Sequence, residues 1–168
     1  MLVLLKVFWG ISVLKTKPQE IPRSAVLLAL TATINFLISI AITEVSIDLP
    51  LSTVLLLSTA EISIISGLTA TLLIFQKKES RLIQSITALL GAGAIIGLVV
   101  LILFAVLPEI PAILRLTIFF WNLIVVAFVL HHALEFPMAG TFLISVAYTY
   151  VIMQVIVRIN QMFSATPL

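Results

Sequence analysis

An all-α, polytopic membrane bundle of five transmembrane helices, preceded by a short interfacial helix, is the fold that three features of this chain predict. The first is composition: 62% of the 168 residues are hydrophobic and 10% charged, with a mean hydropathy of +1.31. An ordinary soluble domain is about half apolar. The second is a succession of long apolar runs, each near the roughly 20 helical residues that cross a hydrocarbon core about 30 Å thick. The third is punctuation, since prolines and charged residues gather between those runs and hardly enter them. A β-barrel would show short alternating segments, whereas these runs are apolar on every face. Backbone groups in lipid must pair within their own segment, so the runs are expected to be helices.

The chain divides into residues 1–23, an interfacial amphipathic helix with a cytoplasmic linker, residues 24–158, the transmembrane domain, and residues 159–168, a polar tail. The opening MLVLLKVFWGISVL is short for a crossing, and Trp9 with Lys6, Lys15 and Lys17 suits a helix lying in the interface. Lys6 interrupts its apolar run and no small-residue cleavage site follows, so it is expected to be retained rather than removed as an export signal. Pro18 and Pro22 then break helices, and the first span starts near Ser24 and runs uncharged to Thr43. Glu44 and Asp48 mark its far interface. Pro50 opens the second span, Leu51 to Phe75, which ends at the short turn QKKESR. The third span, Leu82 to Leu107, carries no charge, and LPEIP, with Pro108 and Pro111, makes the next turn. The fourth is the shortest, with about fifteen uncharged residues between Arg115 and His131, and needs its polar ends to reach toward water. The fifth runs from Phe136 to Val157 and stops at Arg158.

Charge sets the expected orientation. A cytoplasmic N-terminus puts Lys6, Lys15, Lys17, Arg23, Lys77, Lys78 and Arg81 inside and leaves Arg115 and Arg158 outside. The expected orientation is therefore N-terminus in the cytoplasm and C-terminus outside. The net charge of +2 does not point to nucleic acid, because nine bases spread over loops form no basic face. Without cysteine the chain has no disulfide, thiolate metal site or thiol nucleophile.

Polar residues deep in the spans are the candidate site. Counting about 1.5 Å of rise per residue, Asn35, Glu61, Asn122 and Tyr148 each lie about 15 Å into their spans, near the bilayer midplane. Polar groups at that depth face the bundle interior, where an amide or phenol can hydrogen-bond a carboxyl. A midplane cluster of these four is expected; the plainer alternative is that each is satisfied by a nearby backbone carbonyl. If Glu61 ionises reversibly it can carry a proton, and otherwise its role is structural hydrogen bonding.

Gly91, Gly93 and Gly97 in LLGAGAIIG mark a face for close helix packing, with Gly67 and Ala70 as a second such pair. His131, His132 and Glu135 form a candidate cytoplasmic turn. Adjacent helical histidines diverge by about 100°, so the pair is read as interfacial hydrogen bonding and not as a metal or haem site. Trp9 is read as an interface anchor and Trp121 as a packing residue.

The span count, the glycine-rich LLGAGAIIG helix, and a fourth helix FFWNLIVVAFVLHHALEFP passing through a tight turn into AGTFLISVAYTY together resemble the Yip1-type membrane proteins, over about Ser24 to Arg158. That resemblance implies five closely spaced spans after a cytoplasmic N-terminal segment, in a small bacterial inner-membrane protein. The DLYGP-type motif of eukaryotic members is absent, so their small-GTPase and trafficking roles are not carried over, nor is any functional residue.

Three functions follow as expectations. The leading one is a non-enzymatic scaffold or interaction component of Yip1-like type, with the lipid bilayer and membrane-protein partners or further copies of itself as its contacts. The second is a small oligomeric transporter or channel using Glu61, which requires a continuous polar cavity reaching one face. The third is an accessory membrane subunit of a respiratory or other enzyme complex. No cofactor is expected, because no nucleophile-base pairing, metal-ligand spacing or phosphate-binding glycine loop is present.

Overall fold

A computed structural model describes residues 2–47, 49–107 and 109–164, the side chains of residues 2, 3, 160 and 162–164 excepted. Asp48 and Pro108, expected at the far interface and in the following turn, and the last four residues of the expected tail lie outside the described residues. The described chain is all-helical: α1 (Leu2–Ser12), α2 (Ala25–Ser46), α3 (Leu51–Phe75), α4 (Leu82–Val106), α5 (Ala112–Leu134) and α6 (Met138–Ser164). Five of these, α2 to α6, are long and apolar enough to cross a membrane. The chain is a multi-pass membrane protein.

Local chemistry sets the helix ends. Ser24 is the N-cap of α2, its hydroxyl accepting from the Leu27 amide at 3.2 Å, which satisfies one of the orphan donors of the first turn. Prolines stand immediately before α3 and α5, where a missing N–H costs nothing. Three helices stop at a non-glycine residue with positive φ: Leu14 just past α1, Lys77 after α3 and Glu135 after α5. The short fourth span is lengthened by helix on both sides of its uncharged stretch, so α5 reaches 23 residues by taking in Arg115 and both histidines. At the other extreme α6 runs on to Ser164, through the first part of what the sequence reads as tail.

Successive spans run antiparallel. The end of the bundle carrying Lys78, Arg81 and Glu135 is called here the basic end, and the one carrying Ser46 and Glu109 the far end. Helix α4 is central: it packs on α1, α2, α3 and α5, most extensively on α2, while α6 joins α5 to α3 and so closes the ring. The glycines explain the α2–α4 seam. A Cβ on Gly97 would lie 2.6 Å from Ile38 Cγ2, and one on Gly93 would lie 3.0 Å from Asn35 Nδ2. Gly91 serves a different neighbour, since its Cβ would fall 2.3 Å from the ring of Phe8 on α1. Gly67 does not share this role; a Cβ there would meet nothing within 4 Å.

Helix α1 is docked, with Phe8 and Ile11 buried and Trp9 half exposed. The Trp121 indole fixes its end by donating to the Ser12 carbonyl at 2.7 Å. Burial is uneven along the bundle. The core gathers Leu27, Leu73, Ala88, Ala92, Val129 and Leu130, all toward the basic end, whereas the far halves of α4 and α6 are mostly exposed or half-buried.

Candidate functional site: a cavity at the bundle centre

Asn35, Glu61, Asn122 and Tyr148 are each the eleventh residue of their helices, α2, α3, α5 and α6. Ten steps of about 1.5 Å put each about 15 Å from its helix start, and because two helices start at the basic end and two at the far end, the four converge at mid-height. All four line one cavity of about 460 Å³ enclosed by residues of α2 to α6. Helix α4 contributes mostly apolar surface together with the two glycines, Gly93 and Gly97, against which α2 packs.

The four do not bond one another. The Asn35 amide donates to the Leu90 carbonyl at 3.0 Å, across the α2–α4 seam. Tyr148 donates its hydroxyl to the Ile65 carbonyl at 3.1 Å and lies 3.4 Å from the Thr69 hydroxyl, tying α6 to α3 one turn past Glu61. Glu61 finds a partner the sequence reading missed: the Ser39 hydroxyl donates to its Oε2 at 2.7 Å. Ser39 stands four residues after Asn35, on the same face of α2, and that spacing was the available signal. Asn122 forms no side-chain hydrogen bond among the described residues. The expected cluster is thus a shared chamber with separate partners, and the carbonyl-satisfied alternative describes Asn35 and Tyr148.

Arg115 also lines this chamber. It lies two turns from Asn122 on the same face of α5, toward the far end, and makes no ion pair among the described residues, whose two salt bridges both involve Glu135. A second cavity of about 720 Å³ adjoins the first, with Ile42, Val100, Arg115 and Ile118 lining both. It extends past Ser46 and Phe104 to Glu109 and Ile110, that is, to the far end. The two form a largely apolar chamber bearing a few polar groups, with a vestibule on one side.

The basic end is tied shut instead. Four C-terminal carbonyls of a helix lack intrahelical donors and carry partial negative charge. In α5 three of them are met by side chains: Lys78 donates to Leu134 at 2.7 Å, Arg81 to His132 at 3.1 Å and to Ala133 at 3.3 Å, and Gln19 to His132 at 2.6 Å. Glu135, at the left-handed residue that ends α5, pairs with Lys78 at 2.6 Å and with Arg81. Hydrogen bonds from these two cations hold its carboxyl down at about 2, below the ordinary 4.5. Buried Gln84 completes the knot, donating to the Ile21 carbonyl at 2.7 Å and accepting from Arg23 at 3.2 Å. The histidines bond backbone, His132 Nδ1 with the Phe128 carbonyl at 2.9 Å and His131 Nδ1 with that of Phe136. Among the described residues no group of His, Asp and Glu is arranged to hold a metal ion.

No protein-family model matches this chain, and neither a curated protein nor a solved structure matches it, so its function is argued from the chamber itself.

Proposed function

We propose that this protein is a small, non-enzymatic membrane transporter or channel component that admits a polar solute to the mid-bundle chamber through the far-end vestibule. The observation that carries this reading is the convergence of Glu61, Asn122 and Arg115 on one cavity continuous with the vestibule. Charged groups at membrane depth are costly, and where they face a cavity they mark substrate or ion pathways. With the basic end toward a bacterial cytoplasm, as its excess of Lys and Arg favours, the vestibule faces outward. The packed, latched half is then the closed side.

Glu61 is the ionisable centre of the chamber. Its carboxyl keeps one oxygen free of donors among the described residues, and Ser39 steadies the other. Tyr148 and Asn35 hold α6 to α3 and α2 to α4, and so fix the chamber walls. The reading is tested with single cysteines, which the cysteine-free chain accommodates without background. In sealed membrane vesicles of known sidedness, Asn122→Cys should react with a membrane-impermeant thiol reagent applied from the far side, whereas Ala88→Cys should not. Protection of Asn122→Cys from both sides would end the solute-pathway reading.

A second reading, the scaffold or complex-subunit role, is favoured by the far half of α6. Tyr150, Met153 and Val157 project there with 61%, 52% and 46% of their surface exposed, on a helix that continues past its candidate span to Ser164. A membrane-protein partner or a second copy of this chain would pack along that strip. Mild-detergent purification followed by mass measurement distinguishes a stable assembly from a solitary chain.

A further inference from the structure

The hydrogen-bonding capacity left unused in the chamber has a pattern. Ser39 occupies Oε2 of Glu61, and Oε1 has no donor among the described residues. Asn122, ten residues from the start of α5 as Glu61 is from the start of α3, presents an unengaged amide at the same depth. Arg115 is three residues from that start, so it lies about 10 Å nearer the far end along the helix axis. An acid and a base therefore face one cavity without meeting. A lone cation on Glu61 would leave Arg115 unpaired, and a lone anion on Arg115 would leave Glu61 unpaired. A ligand carrying both charges pairs both.

We infer that the chamber binds a small zwitterion, an ammonium group joined by a short chain to a carboxylate or phosphate. The ammonium sits between Glu61 and the Asn122 amide oxygen, and the anionic group meets Arg115. The inference rests on the chamber being the solute site proposed above. The axial offset of about 10 Å between the two backbones, shortened by the reach of the Arg115 side chain, sets a short spacer of a few methylenes between the ligand's charged groups. The same chemistry exists in free amino acids of that length and in the phosphoethanolamine headgroup of a lipid.

The test uses the full chain in phosphatidylglycerol nanodiscs, which contain no ammonium, titrated calorimetrically with γ-aminobutyrate, butylamine and butyrate. Saturable binding is expected for γ-aminobutyrate, with the two single-charge compounds weaker by about tenfold to a hundredfold, the loss of one charged hydrogen-bonded contact. Glu61→Gln and Arg115→Gln should each weaken the zwitterion by a similar factor. Arg115 is exposed, so its variant tests the idea even where Glu61→Gln disturbs folding. Repeating the titration with phosphatidylethanolamine in the disc separates the sources: weakened binding identifies the lipid headgroup as a competing ligand, and unchanged binding identifies a free solute. Butylamine binding as tightly as γ-aminobutyrate, an Arg115→Gln variant of unchanged affinity, or no binding of the zwitterion overturns the inference. If Asn122→Cys is still labelled in that case, the chamber remains a solute site and only the ligand class is lost.

Discussion

Glu135 concentrates the work of a helix end in one side chain. Its left-handed backbone, φ 60°, normally favours glycine, and a non-glycine residue there costs on the order of 1 kcal/mol. The offset comes from Lys78 and Arg81, which bind its carboxylate while donating to the carbonyls that α5 leaves open. This arrangement has a definite pH signature. The folded carboxyl titrates near 2 against an ordinary 4.5, so over that interval the unfolded chain binds more protons than the folded one. Stabilisation by the ion pairs is complete above about pH 4.5 and drains away as pH falls toward 2. Thermal unfolding of the detergent-solubilised protein should therefore show a melting temperature that declines more steeply through this window in the wild type than in Glu135→Gln. Parallel declines would mean that the latch contributes nothing to stability.

Helix packing is where small residues decide the outcome, and α4 provides an internal comparison. Gly91→Ala drives a methyl to 2.3 Å from the Phe8 ring, so α1 must shift or lift; overpacking of this kind costs about 1–3 kcal/mol. Gly67→Ala, with open space around it, should instead stabilise α3 by about 0.5–1 kcal/mol through the lost flexibility of glycine. Unfolding of both variants in the same detergent checks the pair of signs. The contrast also shows what the sequence carried. LLGAGAIIG was readable as a close-packing face because three glycines fall within seven positions, but nothing there said that Gly91 serves α1 while Gly93 and Gly97 serve α2. Boundaries at Ser24, Leu51 and Leu82 were legible from a pair of helix-breaking prolines, a single proline and a charged turn. The ends of α5 and α6 were not, because Arg115, His131 and Arg158 were read as limits, whereas a helix near the membrane surface can run through charged residues whose side chains reach water.

At the scale of the molecule, depth was readable and direction was not. Counting residues put Asn35, Glu61, Asn122 and Tyr148 at one height, since rise per residue is fixed by helix geometry. Which way each pointed, and hence that Ser39 rather than Asn35 would meet Glu61, depends on helix rotation, and spans that are apolar on all faces carry little rotational signal. The same limitation hid the division of the bundle into two unlike halves. Toward the basic end α4 is buried almost without break from Gln84 to Ala92, and α5 from Leu123 to Leu130 apart from Ile124 and Phe128, with the Glu135 latch above them. Toward the far end the same helices diverge around the chamber and vestibule, and Tyr150 to Val157 of α6 have few neighbours. Local opening is cheapest where buried contacts are fewest and backbone hydrogen bonds lie close to water. Amide hydrogen exchange in nanodiscs should accordingly be slowest across residues 84–97 of α4 and 123–134 of α5. It should be fastest, among the spans, in residues 150–159 of α6, although those amides lie in an apolar helix of similar length. Uniform protection along α6 would mean that lipid or a neighbouring chain holds its far half as firmly as the core holds α4, and the bundle would then act as one rigid body with a fixed chamber. A gradient along α6 would instead identify its far half as the segment able to move when the chamber fills, with the latched basic end as the anchor.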